Sequence, residues 1–94
     1  MRFPLGIVTA TPGAMEALAE SDQAPAEFIR RHLALEQGEL DAGDHRLNRQ
    51  ALKDGSRIFS SFKTSLGERI WVITDAADDS GHRAVTTLLL ASEF

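Results

Sequence analysis

The 94-residue chain contains no cysteine. That absence excludes a disulfide framework, a thiolate nucleophile and any sulfur-ligated zinc or iron cluster, and it agrees with a cytoplasmic location. Long apolar runs are missing too. Outside the N-terminal segment the longest is "LLLA", against the roughly 20 residues that span a bilayer. The N-terminal "MRFPLGIVTATPGAMEAL" has one arginine and a brief apolar piece, which Pro4, Thr9, Thr11 and Pro12 interrupt before a signal-type core can form. No membrane segment is expected. Net positive charge is also lacking: ten Lys and Arg against fourteen Asp and Glu leave −4, which repels a phosphate backbone and disfavours nucleic acid as a partner. There is no GxGxxG, no Walker lysine and no GxSxG, so no cofactor is expected.

What is present has the proportions of one soluble domain spanning residues 1–94, with 43% hydrophobic and 26% charged residues. A chain this short buries only about 60–65% of its unfolded surface, so pairing with a second copy adds stability.

The N-terminal "LGIVTA" reads as a short strand or extended arm. In the "TPG" that follows, Thr11 caps and Pro12 takes the first helical position, where its missing N–H costs nothing. The first predicted helix runs to Glu20 with Met15, Leu18 and Ala19 on its inner side. Pro25 restarts a second helix whose stripe is Phe28, Ile29, His32 and Leu33, leaving Arg30 and Arg31 wet. Asp41 as N-cap, Asp44 three residues on and Gly55 as stop delimit a third, polar helix. Its expected inner stripe is Leu47, Ala51 and Leu52, with Asp44, His45, Asn48 and Arg49 exposed. After Gly55 the period changes from 3.6 to 2, and "RIFSSFKT", "ERIWVIT" and "RAVTTLLL" read as strands. The fold class is therefore α+β: two to three N-terminal helices on one face of a C-terminal three-stranded antiparallel meander, with a possible added N-terminal strand.

Two of those strands are apolar on both sides. Ile70 and Val72 alternate with Trp71 and Ile73, and Val85, Thr87 and Leu89 with Thr86, Leu88 and Leu90. A sheet with one wet face alternates cleanly, so a second cover is implied, whether the chain's own residues or another subunit.

Candidate chemistry is sparse. No two of His32, His45 and His82 are spaced as a metal pair, and the Asp75, Asp78 and Asp79 loop lacks a calcium-loop pattern; no metal site is expected. Asp44, His45 and Asn48 share a helix face, and Asp41 lies four residues before His45, but no nucleophile or oxyanion donor accompanies them. Asp41 and Asp44 have a sufficient role at the helix N-terminus. Arg57, Lys63, Arg69 and Arg83 alternate with Phe59, Phe62 and Trp71, and the order of elements resembles RelE- and ParE-type toxins, which are usually basic. The candidate binding residues are Arg57, Arg69 and Trp71 on the sheet and Asp44, His45 and Asn48 on the third helix.

The segments "ATPGAMEAL", "AEFIRRH", "GELDAGDHRLNRQALKDGSRIFSSF" and "GERIWVITDA…VTTLLL" together resemble a family of small bacterial proteins carried by plasmids and other mobile elements. Some members carry a type I restriction subunit label. The chemistry of such a subunit needs a glycine-rich nucleotide turn and an Asn-Pro-Pro-aromatic motif, both absent here. The chain departs from the family by inserting "DDSGH" before Arg83 and by ending in "LLLASEF", which keeps an aromatic at Phe94 but loses a proline. The resemblance implies an accessory protein of a mobile element. With no catalytic kit visible, the expected activity is protein binding as a homodimer with an unidentified protein partner; the alternative is a small toxin-like nuclease or hydrolase.

Overall fold

A computed structural model describes residues 3–94; Arg2 lies outside them. The elements are β1 (Ile7–Ala10), α1 (Pro12–Glu20), α2 (Pro25–Leu33), α3 (Ala42–Asp54), β2 (Ile58–Lys63), β3 (Arg69–Thr74) and β4 (Val85–Leu90), followed by a 3-10 turn at Ala91–Glu93. The expected α+β class holds and β2, β3 and β4 form the antiparallel meander. The sheet itself is four-stranded and mixed, in the order β1-β4-β3-β2, because β1 joins β4 in parallel. The connection between this parallel pair runs through all three helices and then β2 and β3, well beyond the length that a parallel crossover requires.

Local signals place the helices. The Thr11 hydroxyl accepts from Ala14 N–H with Pro12 next in line, and the Asp41 carboxylate accepts from Asp44 N–H. Gly55 ends α3 in the left-handed region at φ +79°. Leu35, which follows α2, takes φ +54° without being glycine, and its buried side chain packs with Phe3, Ala51 and Ile58.

Packing corrects the expected helix faces. In α1 the inward residues are Ala14, Ala17 and Leu18, while Met15 and Ala19 are exposed. In α2, Phe28 and His32 are fully buried and Ile29 and Leu33 half so. Arg31 is half-buried, with its guanidinium 4.2 Å from the centre of the Phe62 ring. In α3 the phase is rotated: Asn48 and Ala51 point in, and Leu47 is 66% exposed. The cause is position, since α3 lies along the β2 edge instead of on the sheet face. The main core of Phe28, Phe62, Ile70, Val72 and Leu88 is closed by α1 and α2. Each large apolar side chain there contributes roughly 2–3 kcal/mol by burial.

Beside this core runs a polar seam. Thr86 Oγ1 donates to Leu5 C=O, Thr74 and Thr86 hydroxyls lie 2.7 Å apart, and His32 Nε2 and Nδ1 lie 2.8 Å from Thr74 Oγ1 and 2.6 Å from Ser60 Oγ. Thr86 has spent its proton, so Thr74 must donate to it. Thr74 therefore accepts from His32, whose Nε2 carries the hydrogen, and Ser60 donates to Nδ1. Burial pulls the His32 pKa down from 6.5 to about 4, consistent with the neutral imidazole this direction requires.

Candidate functional site: the open sheet face around Trp71

Alternation along the strands puts Phe59, Trp71, Ile73, Val85, Thr87 and Leu89 on the face away from α1 and α2. Phe59, Trp71, Ile73, Val85 and Thr87 are half-buried. The expected second cover is partial, and it is the chain's own C-terminus: the 3-10 turn folds back so that the Phe94 ring stands 5.1 Å from Trp71, itself 70% exposed. The Phe59 ring also meets Trp71, edge-on at 5.0 Å.

The turn is pinned electrostatically. Glu93 Oε1 accepts from Thr11 Oγ1 at 2.6 Å and from Leu90 N–H at 2.8 Å. These bonds hold its carboxyl below the usual carboxylate range, with the Thr11 hydroxyl the largest contributor. The same Thr11 caps α1, so the roof over Trp71 is tied to the N-terminus of the first helix.

Two shallow clefts flank the indole. One, about 240 Å³, is lined by Glu39, Leu40, Asp44, Phe59, Ser61, Arg69 and Trp71. The other, about 190 Å³, is lined by Arg57, Phe59, Trp71, Ile73 and Phe94. Of the six candidate residues read from the sequence, the structure thus gathers Arg57, Arg69, Trp71 and Asp44 around one indole.

His45 and Asn48 do not join them. His45 Nε2 bonds Leu35 C=O at 2.8 Å, tying α3 to the end of α2. Asn48, expected on the wet side, is buried and bonds both backbone groups of Phe59. Glu39, unremarked in the sequence, is the charged hub of the first cleft, with its carboxylate 3.4 Å from Arg69 Nε and 3.9 Å from Lys63 Nζ. Its signal was weak, because only the turn at Gly38 carries it over the β2 edge. At φ +55° a Cβ on Gly38 would stand 2.5 Å from Ser61 C=O.

Other polar groups have structural roles. Arg83, counted by sequence among the sheet's basic residues, precedes β4, is 97% shielded, and donates to the carbonyls of Ala51, Ser56 and Asp75. Asp78 accepts from Ser80 Oγ and from the N–H groups of Ser80 and His82, which fold the 75–82 loop on itself and hold its carboxyl below the usual range. Ser60 and His32 have the bonding of a nucleophile and base, yet both are wholly shielded from solvent and no substrate reaches them. Among the described residues no three His, Asp or Glu converge to hold a metal ion, and no helix is long and apolar enough to cross a membrane. Comparison of the chain with protein-family models, with curated proteins and with solved structures gave no significant match in any of the three.

Proposed function

We propose that the chain is a non-catalytic accessory protein of a mobile genetic element that acts by binding another protein, and that it works as a homodimer. The observation that carries the binding reading is the aromatic face of Phe59, Trp71 and Phe94, roofed by one exposed ring and edged by Arg57 and Arg69. Tryptophan, phenylalanine and arginine are enriched where proteins dock, and a half-shielded indole between two clefts is the kind of anchor that dominates such contacts. The test is affinity capture from a bacterial host carrying the element, with Trp71→Ala, Arg57→Ala and, as control, Arg46→Ala on exposed α3. The reading expects one protein captured by wild type and Arg46→Ala and lost with Trp71→Ala. Capture that ignores Trp71 and Arg57 defeats it.

The second reading is a toxin-like nuclease or hydrolase. What favours it is the grouping of Arg57, Lys63 and Arg69 with Trp71 on one face, although Glu39 already offsets two of those charges. RNA or DNA cleavage that disappears in His45→Ala or His82→Ala selects this reading over the first.

A further inference from the structure

The sheet ends in two unlike edges. At β2 the outward N–H and C=O of Phe59 are both answered by Asn48, and Ser61 C=O accepts from Glu39 N–H at 2.7 Å. At β1, Ile7 N–H donates to Ala84 C=O and Thr11 N–H to Leu88 C=O, both 2.9 Å. Successive residues of a strand turn their amides to opposite sides, so Val8 and Ala10 direct theirs away from β4. No loop backbone among the described residues answers them. Ile7 and Val8 stand 68% and 46% exposed along this edge.

Free edges in soluble proteins are usually blunted by charge, because an open row of amides recruits another strand. Here that defence is missing: residues 3–15 contain no charged side chain, in a chain carrying −4 overall. The residues of β1 bring no charge of their own to such a contact, and the carboxylate at the end of the strand, Glu93, is already bonded to Thr11 and Leu90.

We propose that β1 pairs antiparallel with β1 of a second copy about a two-fold axis at Thr9, joining two four-stranded sheets into one. In that arrangement Val8 faces Ala10 of the second copy and each exchanges both its N–H and its C=O, so every outward group of the strand is satisfied. A pairing centred on Val8 instead brings Gly6, at φ +64°, into the ladder, where its backbone is not extended. Gly6 is fixed in that turn, since a Cβ there would meet Arg83 C=O at 2.2 Å. The inference rests on the homodimer part of the proposed function and places its contact away from Trp71, leaving that face free for the protein partner.

The test compares wild type, Val8→Pro and Trp71→Ala by sedimentation equilibrium over a concentration series. Proline at position 8 removes an outward N–H and no bond to β4. The proposal expects a doubled mass for wild type and Trp71→Ala, and loss of the doubling in Val8→Pro. A dimer that survives Val8→Pro and is lost in Trp71→Ala overturns the edge contact while leaving the homodimer reading intact; a wild type that stays monomeric at the highest concentration overturns both. Should Val8→Pro fail to fold by circular dichroism, hydrogen exchange of wild type decides. Val8 and Ala10 amides that slow as concentration rises support the edge, and rates independent of concentration overturn it.

Discussion

The side chain of Asn48 bonds the backbone of Phe59 in both directions: its Oδ1 accepts from Phe59 N–H at 3.0 Å and its Nδ2 donates to Phe59 C=O. A single amide thereby imitates one residue of a fifth strand, and α3 is fastened to the sheet by polar contact more than by grease. Asn48→Ala leaves both Phe59 groups without partners in a shielded place, for which we expect a loss of about 2–3 kcal/mol in urea unfolding. The variant also opens the β2 edge and should aggregate more readily than wild type. A change under about 0.5 kcal/mol means that water replaces the amide without cost.

The His32 seam makes stability depend on pH. The imidazole titrates near 6.5 when unfolded and near 4 when folded, so above 6.5 it is neutral in both states and favours neither. Between those values the unfolded chain takes up the proton first, and stability falls by about 1.4 kcal/mol per pH unit, roughly 3 kcal/mol in all. Asp54, Asp78 and Glu93, whose carboxyls are held below their ordinary values, add losses only at the acid end, below about pH 4.5. Urea midpoints measured from pH 7.5 to 4 should show the slope. A flat profile over pH 6.5 to 5 contradicts it, as does a nitrogen NMR spectrum with the hydrogen on Nδ1.

Arg83 carries its charge into the interior on three backbone carbonyls, with no carboxylate among the described residues at ion-pair distance. The planar fork reaches Ala51 with one nitrogen and Ser56 and Asp75 with the other, closing the end of α3 against the loop before β4. A lysine ammonium is a point that cannot span these acceptors, so Arg83→Lys should cost about 2–3 kcal/mol despite keeping the charge. Equal urea midpoints for Arg83→Lys and wild type would show that the charge alone matters.

Trp71 is the single tryptophan, so its emission reports on the C-terminal roof alone. Phe94→Ala should shift it to the red by exposing the indole. Glu93→Gln should do the same in part, since the bonds from Thr11 and Leu90 lose their charge assistance. The carboxyl is depressed below 4.5, so in wild type the roof holds above that value and loosens as pH falls through the folded pKa. Identical emission from Glu93→Gln and wild type at neutral pH removes Glu93 from this role.

What the sequence revealed and what it hid divide along physical lines. Caps at Thr11 and Asp41, the stop at Gly55 and the strand alternation through Trp71 depend on neighbours a few residues apart, and each stands where the pattern put it. The parallel pairing of β1 with β4 joins Ile7 to Val85, a partnership that no local period encodes. The inward face of α3 departs from its hydrophobic period for a related reason. Periodicity assigns Leu47 inward by its hydrophobicity, whereas a helix laid along a strand edge turns inward whatever satisfies that edge, here Asn48. At the candidate site, the doubly apolar β3 pointed to Trp71 and its neighbours, but Glu39 is brought to Arg69 by a loop whose path depends on Gly38.

The seam through Ser60, His32, Thr74 and Thr86 also guards against mispairing during folding. Because β3 and β4 are greasy on both sides, a slide of one strand past the next by a single residue changes buried apolar area little, and oiliness alone is a poor proofreader. A slide of β4 past β3 parts the Thr74 and Thr86 hydroxyls, and a slide of β2 past β3 separates Ser60 from Thr74, which the imidazole bridges; either leaves shielded polar groups unanswered, a cost that the native alignment avoids. The least hydrophobic positions of the interior thus decide which of several nearly equal stackings the chain accepts.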